Sequence, residues 1–230
     1  MALRMGEVDT IISPSLYLAR AYVRAGIPVS KMRAIWYGID VERLSKVVKT
    51  RRNGKVRFTF IGYFGAHKGI WPLLEAAAQL GQRDDYLLAM VGAGDLVEPA
   101  QAFVRERHLD RSVAFLGKVD NRRIEEVFSN TDVFVLPSIW PENQPVTITE
   151  AMATHTAVVA SDIGGIPEMV SHGVTGYLVP PNSAGDIAAR MADLIGNPER
   201  ARLLGDAGFD KIRDDTMEHQ VAKILAVYNE

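Results

Sequence analysis

Asp132-Val-Phe-Val-Leu-Pro-Ser-Ile-Trp-Pro-Glu-Asn-Gln-Pro-Val-Thr-Ile-Thr-Glu-Ala-Met-Ala153 joins a strand, a loop and the start of a helix in one run. Residues 132–136 are short, apolar, β-branched and aromatic, the pattern of a strand buried on both faces. A polar loop follows, and Pro145 suits the first position of a helix because its missing N–H would be unpaired there anyway. The reading predicts Glu142 in the loop and Glu150 inside the helix. Open α/β sheets bind ligands at such strand-to-helix junctions.

The same alternation extends outward on both sides. Strands are predicted at 56–62, 86–92, 113–116, 157–160 and 176–179. Helices are predicted at 70–80, 96–108, 122–129, 145–154 and 167–171, and three more at 184–195, 198–213 and 217–228. Alternating strands and helices mean right-handed βαβ units and a parallel sheet covered on both faces, an α/β fold. Ahead of this region, 8–12 and 32–36 read as strands flanking a helix at 14–25, capped by Ser13 and ended by Gly26. Between 41 and 55, Lys46, Lys49, Arg51, Arg52, Asn53, Gly54 and Lys55 crowd together and read as an exposed, solvated linker, with contact to phosphate or a membrane surface left open.

Bulk properties narrow the class. The chain has 230 residues, 47% hydrophobic and 23% charged, with a formal charge of -2. That is ordinary globular composition, with no basic stripe for nucleic acid. The absence of cysteine excludes a disulfide scaffold and thiolate zinc sites. No apolar run reaches the roughly 18 residues of a spanning helix, and residues 1–6 lack the apolar core of a signal peptide, so a cytoplasmic protein is expected.

Glycine-rich turns follow four of the predicted strands. Gly62-Tyr-Phe-Gly-Ala-His-Lys-Gly69 stands before a helix, where glycines allow close backbone approach and Lys68 can reach a phosphate; an ordinary turn with a surface lysine is the equal alternative. It is neither a Walker A loop nor Gly-x-Gly-x-x-Gly. Val91-Gly-Ala-Gly-Asp95 and Leu116-Gly-Lys-Val119 fall at the next two strand ends, so three successive strands end in glycine along one sheet edge. In Asp162-Ile-Gly-Gly-Ile-Pro-Glu168, Gly164 and Gly165 offer a backbone nest for an anion, and Glu168 reads as a structural first-turn carboxylate. Glu142 and Glu150 suit a glycosidase pair, a metal pair or plain surface residues. The metal reading is weak, because the histidines show no ligand spacing. Glu150, in a helix beside a cleft, is suited to accept hydrogen bonds from vicinal hydroxyls. Trp36, Trp71 and Trp140 read as core or rim residues.

In this order and spacing the segments resemble the C-terminal, nucleotide-sugar-binding domain of family 4 retaining glycosyltransferases. The resemblance rests on Glu142 to Glu150 with Ala-Met-Ala behind it, Lys68-Gly69, Phe115-Leu-Gly, Val158-Val-Ala-Ser-Asp-Ile-Gly-Gly-Ile-Pro-Glu168 and Gly173-Val-Thr-Gly-Tyr-Leu-Val-Pro-Pro181. It implies a Rossmann-like doubly wound sheet, one half of the two-domain GT-B fold. Residues 1–45 would be the end of the N-terminal domain and its crossover, 46–55 a linker, 56–215 the donor-binding domain, and 216–230 a helix packing back toward the N-terminal segment. The donor would be a nucleoside diphosphate sugar. Glu142 would face its sugar, Glu150 the ribose and Lys68 the diphosphate. The base would lie against Gly117, Lys118 and Val119, and amides near Gly65, Asn143, Gln144, Gly164 and Gly165 would meet phosphate or sugar. No metal or other cofactor is implied. A sugar, lipid-linked or glycan acceptor would be held by an N-terminal domain missing from these residues, without which little activity is expected. Tyr63 stands where the family commonly has an arginine, and Asn143-Gln144-Pro145 where it commonly has Gly-Phe-Gly. A non-catalytic or split-enzyme assembly subunit, a sugar-nucleotide epimerase and a flavodoxin-like signalling domain are the competing expectations.

Overall fold

The computed structural model describes residues 8–50 and 54–229. Residues 1–6, read above for a leader, and Arg51, Arg52 and Asn53 of the linker lie outside the described residues. The chain begins with a small unit: β1 (Ile11–Ser13), α1 (Leu16–Arg24) and β2 (Met32–Ala34), with β1 and β2 paired in parallel. The cap of α1 is Ser15, whose hydroxyl accepts from Leu18 N at 3.1 Å. The predicted cap, Ser13, ends β1 instead and donates its hydroxyl to Ser15 O at 2.8 Å.

The crossover that follows is exposed only in part. Residues Val41–Ser45 form α2, with Asp40 as cap and Val41 and Leu44 buried in the core. Lys49 is not a solvated linker lysine: its Nζ donates to Phe128 O and Thr131 O, both at 2.9 Å, and to Thr156 Oγ1. Carbonyls at and just beyond the end of a helix draw a cation of this kind.

Six strands form the main sheet: β3 (Val56–Tyr63), β4 (Tyr86–Ala93), β5 (Val113–Gly117), β6 (Val133–Leu136), β7 (Ala157–Ser161) and β8 (Gly176–Val179). All pair in parallel, in the order β5-β4-β3-β6-β7-β8. Strands are added outward from β3 on one side and from β6 on the other, so the order reverses between these two. The apolar runs are explained by position, since every residue of β6 and of β7 is buried. Helices α3 (Ile70–Leu80), α4 (Val97–Glu106), α5 (Ile124–Ser129), α6 (Val146–Ala153), α7 (Ile166–Met169), α8 (Ala184–Gly196), α9 (Pro198–Ile212) and α10 (Met217–Tyr228) complete the chain. α3 packs on α8, and α9 on α6 and β7.

Three helix boundaries differ from expectation. Asn121–Arg123 forms a tight 3-10 turn capped by Asp120, so α5 begins only at Ile124. Pro145 is the residue before α6 and not its first, because its ψ of 104° is extended. Val170 is extended as well, which ends α7 before the predicted Ser171.

The N-terminal unit is tied to the sheet domain at three points. The Glu168 carboxylate accepts from Leu16 N at 2.9 Å and Tyr17 N at 2.5 Å, an acid at the positive end of α1. The Gln144 side chain accepts from Tyr37 N at 2.7 Å and donates to Tyr37 O at 3.3 Å. Ile39 N donates to Asp215 O at 3.1 Å, and Gly38 N to Gln220 Oε1 at 2.9 Å, which brings α10 against the crossover.

Candidate functional site

The two strands that flank the reversal send out loops that interlock. After β3 the chain makes a 3-10 turn, Ala66–Lys68, and Gly69 follows with φ of 73°. A side chain at Gly69 would bring its Cβ within 1.8 Å of Pro137 O, so only glycine lets the loop after β6 lie down here. His67 O accepts from Ile139 N at 2.9 Å and from Trp140 N at 3.3 Å. Lys68 Nζ then meets Glu142 Oε1 at 2.6 Å, and the Ser138 hydroxyl donates to the same oxygen at 2.9 Å. The two charged side chains are 23% and 17% exposed, so the pair is shielded and its hydrogen bond is strong.

On the other flank of Glu142, Gly164 and Gly165 press against the loop backbone. A Cβ on Gly164 would come within 2.3 Å of Glu142 O, and one on Gly165 within 1.8 Å of Asn143 O. The amides expected to cradle an anion are partly committed: Gly165 N donates to Glu142 O at 2.7 Å and Gly65 N to Tyr63 O at 3.0 Å. These glycines shape the loops by allowing backbones to meet. Gln144 is buried and turned toward Tyr37, while Asn143 is exposed on the surface of the loop.

The carboxyl ends of β3 and β4 form a cleft of about 440 Å³, which Gly62, Tyr63, Gly92, Gly94, Lys118 and Val119 help to line. Gly92 lies against Gly62 O and Gly94 against the backbone of Phe64, so neither position has room for a side chain. Gly117 has φ of 69° with open space where a Cβ would be, which leaves its backbone accessible beside Lys118. Tyr63 closes one side. Its hydroxyl donates to Asp95 Oδ2 at 2.8 Å, a bond that holds the phenol pKa above its usual value, and its ring stacks on His67. Glu150 is half-buried on α6. Burial raises its carboxyl above the ordinary glutamate value, and the charge of Arg43 opposes the rise. Arg43 in turn pairs with Glu125 at 3.1 Å.

Lys68, Glu142, Gly164 and Gly165 thus converge on one loop, and Gly117, Lys118 and Val119 stand at the β5 side of the same sheet edge. Ser138, the Tyr63–Asp95 bond and the Gln144–Tyr37 tie were not anticipated; each joins residues 4, 32 or 107 positions apart without a recognisable motif. Of the core and rim alternatives for Trp140, the second holds, with 66% of its surface exposed.

A parallel six-stranded sheet, reversing its order beside a cleft at the strand carboxyl ends, is the Rossmann-like half of a GT-B fold. The chain belongs to the family Glycosyl transferases group 1, which matches residues 42–211. It is 35% identical over 181 residues to alpha-maltose-1-phosphate synthase of Mycolicibacterium smegmatis, covering 74% of this chain and 46% of that protein. Sucrose-phosphate synthase from Thermosynechococcus elongatus superposes with a TM-score of 0.86 at 26% identity, covering 99% of this chain and 59% of the other. Anabaena Alr3699/HepE, crystallised in complex with UDP, has the same fold at 21% identity, with a TM-score of 0.87 over 96% of this chain and 64% of its own. The chain spans about half the length of the curated relatives it matches. Among the described residues no helix is long and apolar enough to cross a membrane.

Proposed function

We propose that these residues form the donor-binding wall of a glycosyltransferase that moves a sugar from a nucleoside diphosphate sugar to an acceptor hydroxyl with retention at the anomeric carbon. The observation that carries the reading is the Lys68–Glu142 pair at the strand reversal. A diphosphate needs a cation, a sugar needs a carboxylate for its hydroxyls, and here the two are adjacent at the point where doubly wound sheets bind ligands. Lys68 faces the diphosphate, Glu142 the donor sugar, and Glu150 the ribose hydroxyls. The base lies along Gly117, Lys118 and Val119.

In the transfer the acceptor oxygen bonds to the anomeric carbon while the bond from that carbon to the diphosphate oxygen breaks on the same face. The acceptor proton leaves with the diphosphate. Negative charge gathers on the departing group, and Lys68 with the nearby backbone dipoles stabilises it, with no metal ion in the scheme. The 230 residues offer one wall of the cleft. By themselves they bind nucleotide and transfer little, the acceptor being held by a second domain.

Thermal melts with UDP, GDP, ADP and their sugars test the donor site, because a ligand that binds only the folded chain raises its melting temperature; at a hundred times Kd the gain is about 2.7 kcal/mol. Melting unchanged by every nucleotide at millimolar concentration would remove the reading.

A further inference from the structure

Ser138 precedes Glu142 on the loop after β6 and is fully buried. Its backbone is fixed from both sides: Pro137 O lies against Gly69, and Ile139 N donates to His67 O at 2.9 Å. Its hydroxyl donates to Glu142 Oε1 at 2.9 Å, the oxygen that Lys68 Nζ also reaches at 2.6 Å. Both donors thus converge on one oxygen, and among the described residues Oε2 of Glu142 has no hydrogen-bond partner. Burial alone does not force such a bond. Thr149 and Ser161 are buried as well, and among the described residues their hydroxyls have no partner.

The two donors differ in how they hold the carboxylate. Lys68 is a compact charge on a flexible stem and follows the strongest anion near it; in the reading above a diphosphate becomes that anion. Ser138 has a short, buried side chain on an anchored backbone, so it stays where it is. The terminal torsion of a glutamate is soft and roughly two-fold, and a carboxylate that lost Lys68 without a second donor would turn freely. We propose that Ser138 is a positioning residue for the donor sugar: it keeps Oε1 of Glu142 in place once the diphosphate has drawn Lys68 away, and so leaves Oε2 to accept from a hydroxyl of the sugar. Ser138 acts only through Glu142. This rests on the donor-site reading given above.

Calorimetric titration of the 230-residue chain with UDP and UDP-glucose, GDP and GDP-mannose, and ADP and ADP-glucose tests this role. The quantity read is the ratio of the Kd of a nucleotide sugar to that of its bare nucleotide, for the pair that the wild-type chain binds. Ser138→Ala removes only the hydroxyl oxygen and should raise that ratio roughly tenfold, the loss of a hydrogen bond to a charged group. Affinity for the bare nucleotide should stay as it is. In a Glu142→Ala background the same substitution should change nothing, because a residue that acts through another has no effect once the other is gone. Equal losses for nucleotide and nucleotide sugar would make Ser138 a structural residue and overturn the proposal. An unchanged ratio in Ser138→Ala, a change that persists in Glu142→Ala, or a wild-type chain that binds a nucleotide but not its nucleotide sugar overturns it too. Failure of the donor reading is separately visible, as absence of nucleotide binding in the wild-type chain.

Discussion

Lys68 Nζ and Glu142 Oε1 lie 2.6 Å apart, and each comes from a different half of the sheet, Lys68 from the turn after β3 and Glu142 from the loop after β6. The cation proposed for the diphosphate is therefore already neutralised in the free chain. A donor that arrives here exchanges one partner of Lys68 for another.

That exchange separates the two residues by experiment. Glu142→Gln keeps the shape and releases Lys68, so nucleotide affinity should hold or rise slightly while transfer by the complete enzyme falls about 10²–10³-fold. Lys68→Met removes a charge-assisted hydrogen bond and should weaken nucleotide binding roughly tenfold or more. Calorimetric titration of both variants with the same nucleotide checks the asymmetry, and equal losses in the two would contradict it.

Glu150 should trade stability for binding. Its carboxyl is raised above the ordinary glutamate value, chiefly by burial. The folded chain thus holds that proton more tightly than the unfolded chain does, and the ionised form costs stability at pH above the folded pKa; the cost disappears as pH falls through it. Glu150→Gln should melt higher than wild type near pH 7.5, with the gain shrinking toward pH 5. It should also bind nucleotide about tenfold more weakly, since an ionised acceptor is lost. Melts across pH and a parallel titration measure both effects.

Two glycines with similar positive φ should respond differently to alanine. Gly69→Ala sets a Cβ within 1.8 Å of Pro137 O, so the loop that carries Glu142 must move. A loss of at least about 2 kcal/mol is expected, roughly 4–8 °C in melting temperature, together with weaker nucleotide binding. Gly117→Ala meets open space at φ of 69° and should cost only about 1–2 kcal/mol of local strain. Melting curves of the two variants decide the order.

Glu168 holds the start of α1 and does not line the cleft. Glu168→Ala leaves the N–H groups of Leu16 and Tyr17 without their carboxylate partner, at a cost of about 1 kcal/mol. The loss should be local. Amide hydrogen exchange should quicken over Leu16–Arg24 and stay unchanged in β6 and β7, with nucleotide affinity intact.

Most of the fold was legible because its signals are local and periodic. The buried runs of β6 and β7 and the apolar faces of the long helices are set by period and composition. The glycine turns do lie at the carboxyl edge of the sheet, and part of their role there is structural: Gly69 and Gly165 admit neighbouring backbones, and the Gly165 amide is already bonded. What could not be read was pairing across distance. Nothing local tells that Gln144 reaches back to Tyr37, that Tyr63 bonds Asp95, or that Lys49 closes on the carbonyls of Phe128 and Thr131. A cluster of basic residues looks the same whether it is solvated or docked.

The tie between Gln144 and Tyr37 also gives the chain a mechanical path. The Gln144 amide grips both backbone groups of Tyr37, in the crossover, and Gln144 stands two residues after Glu142. The loop that holds Glu142 is thus fastened on two sides, to the turn after β3 through Lys68 and to the crossover through Gln144, so a displacement of either support is carried to the carboxylate.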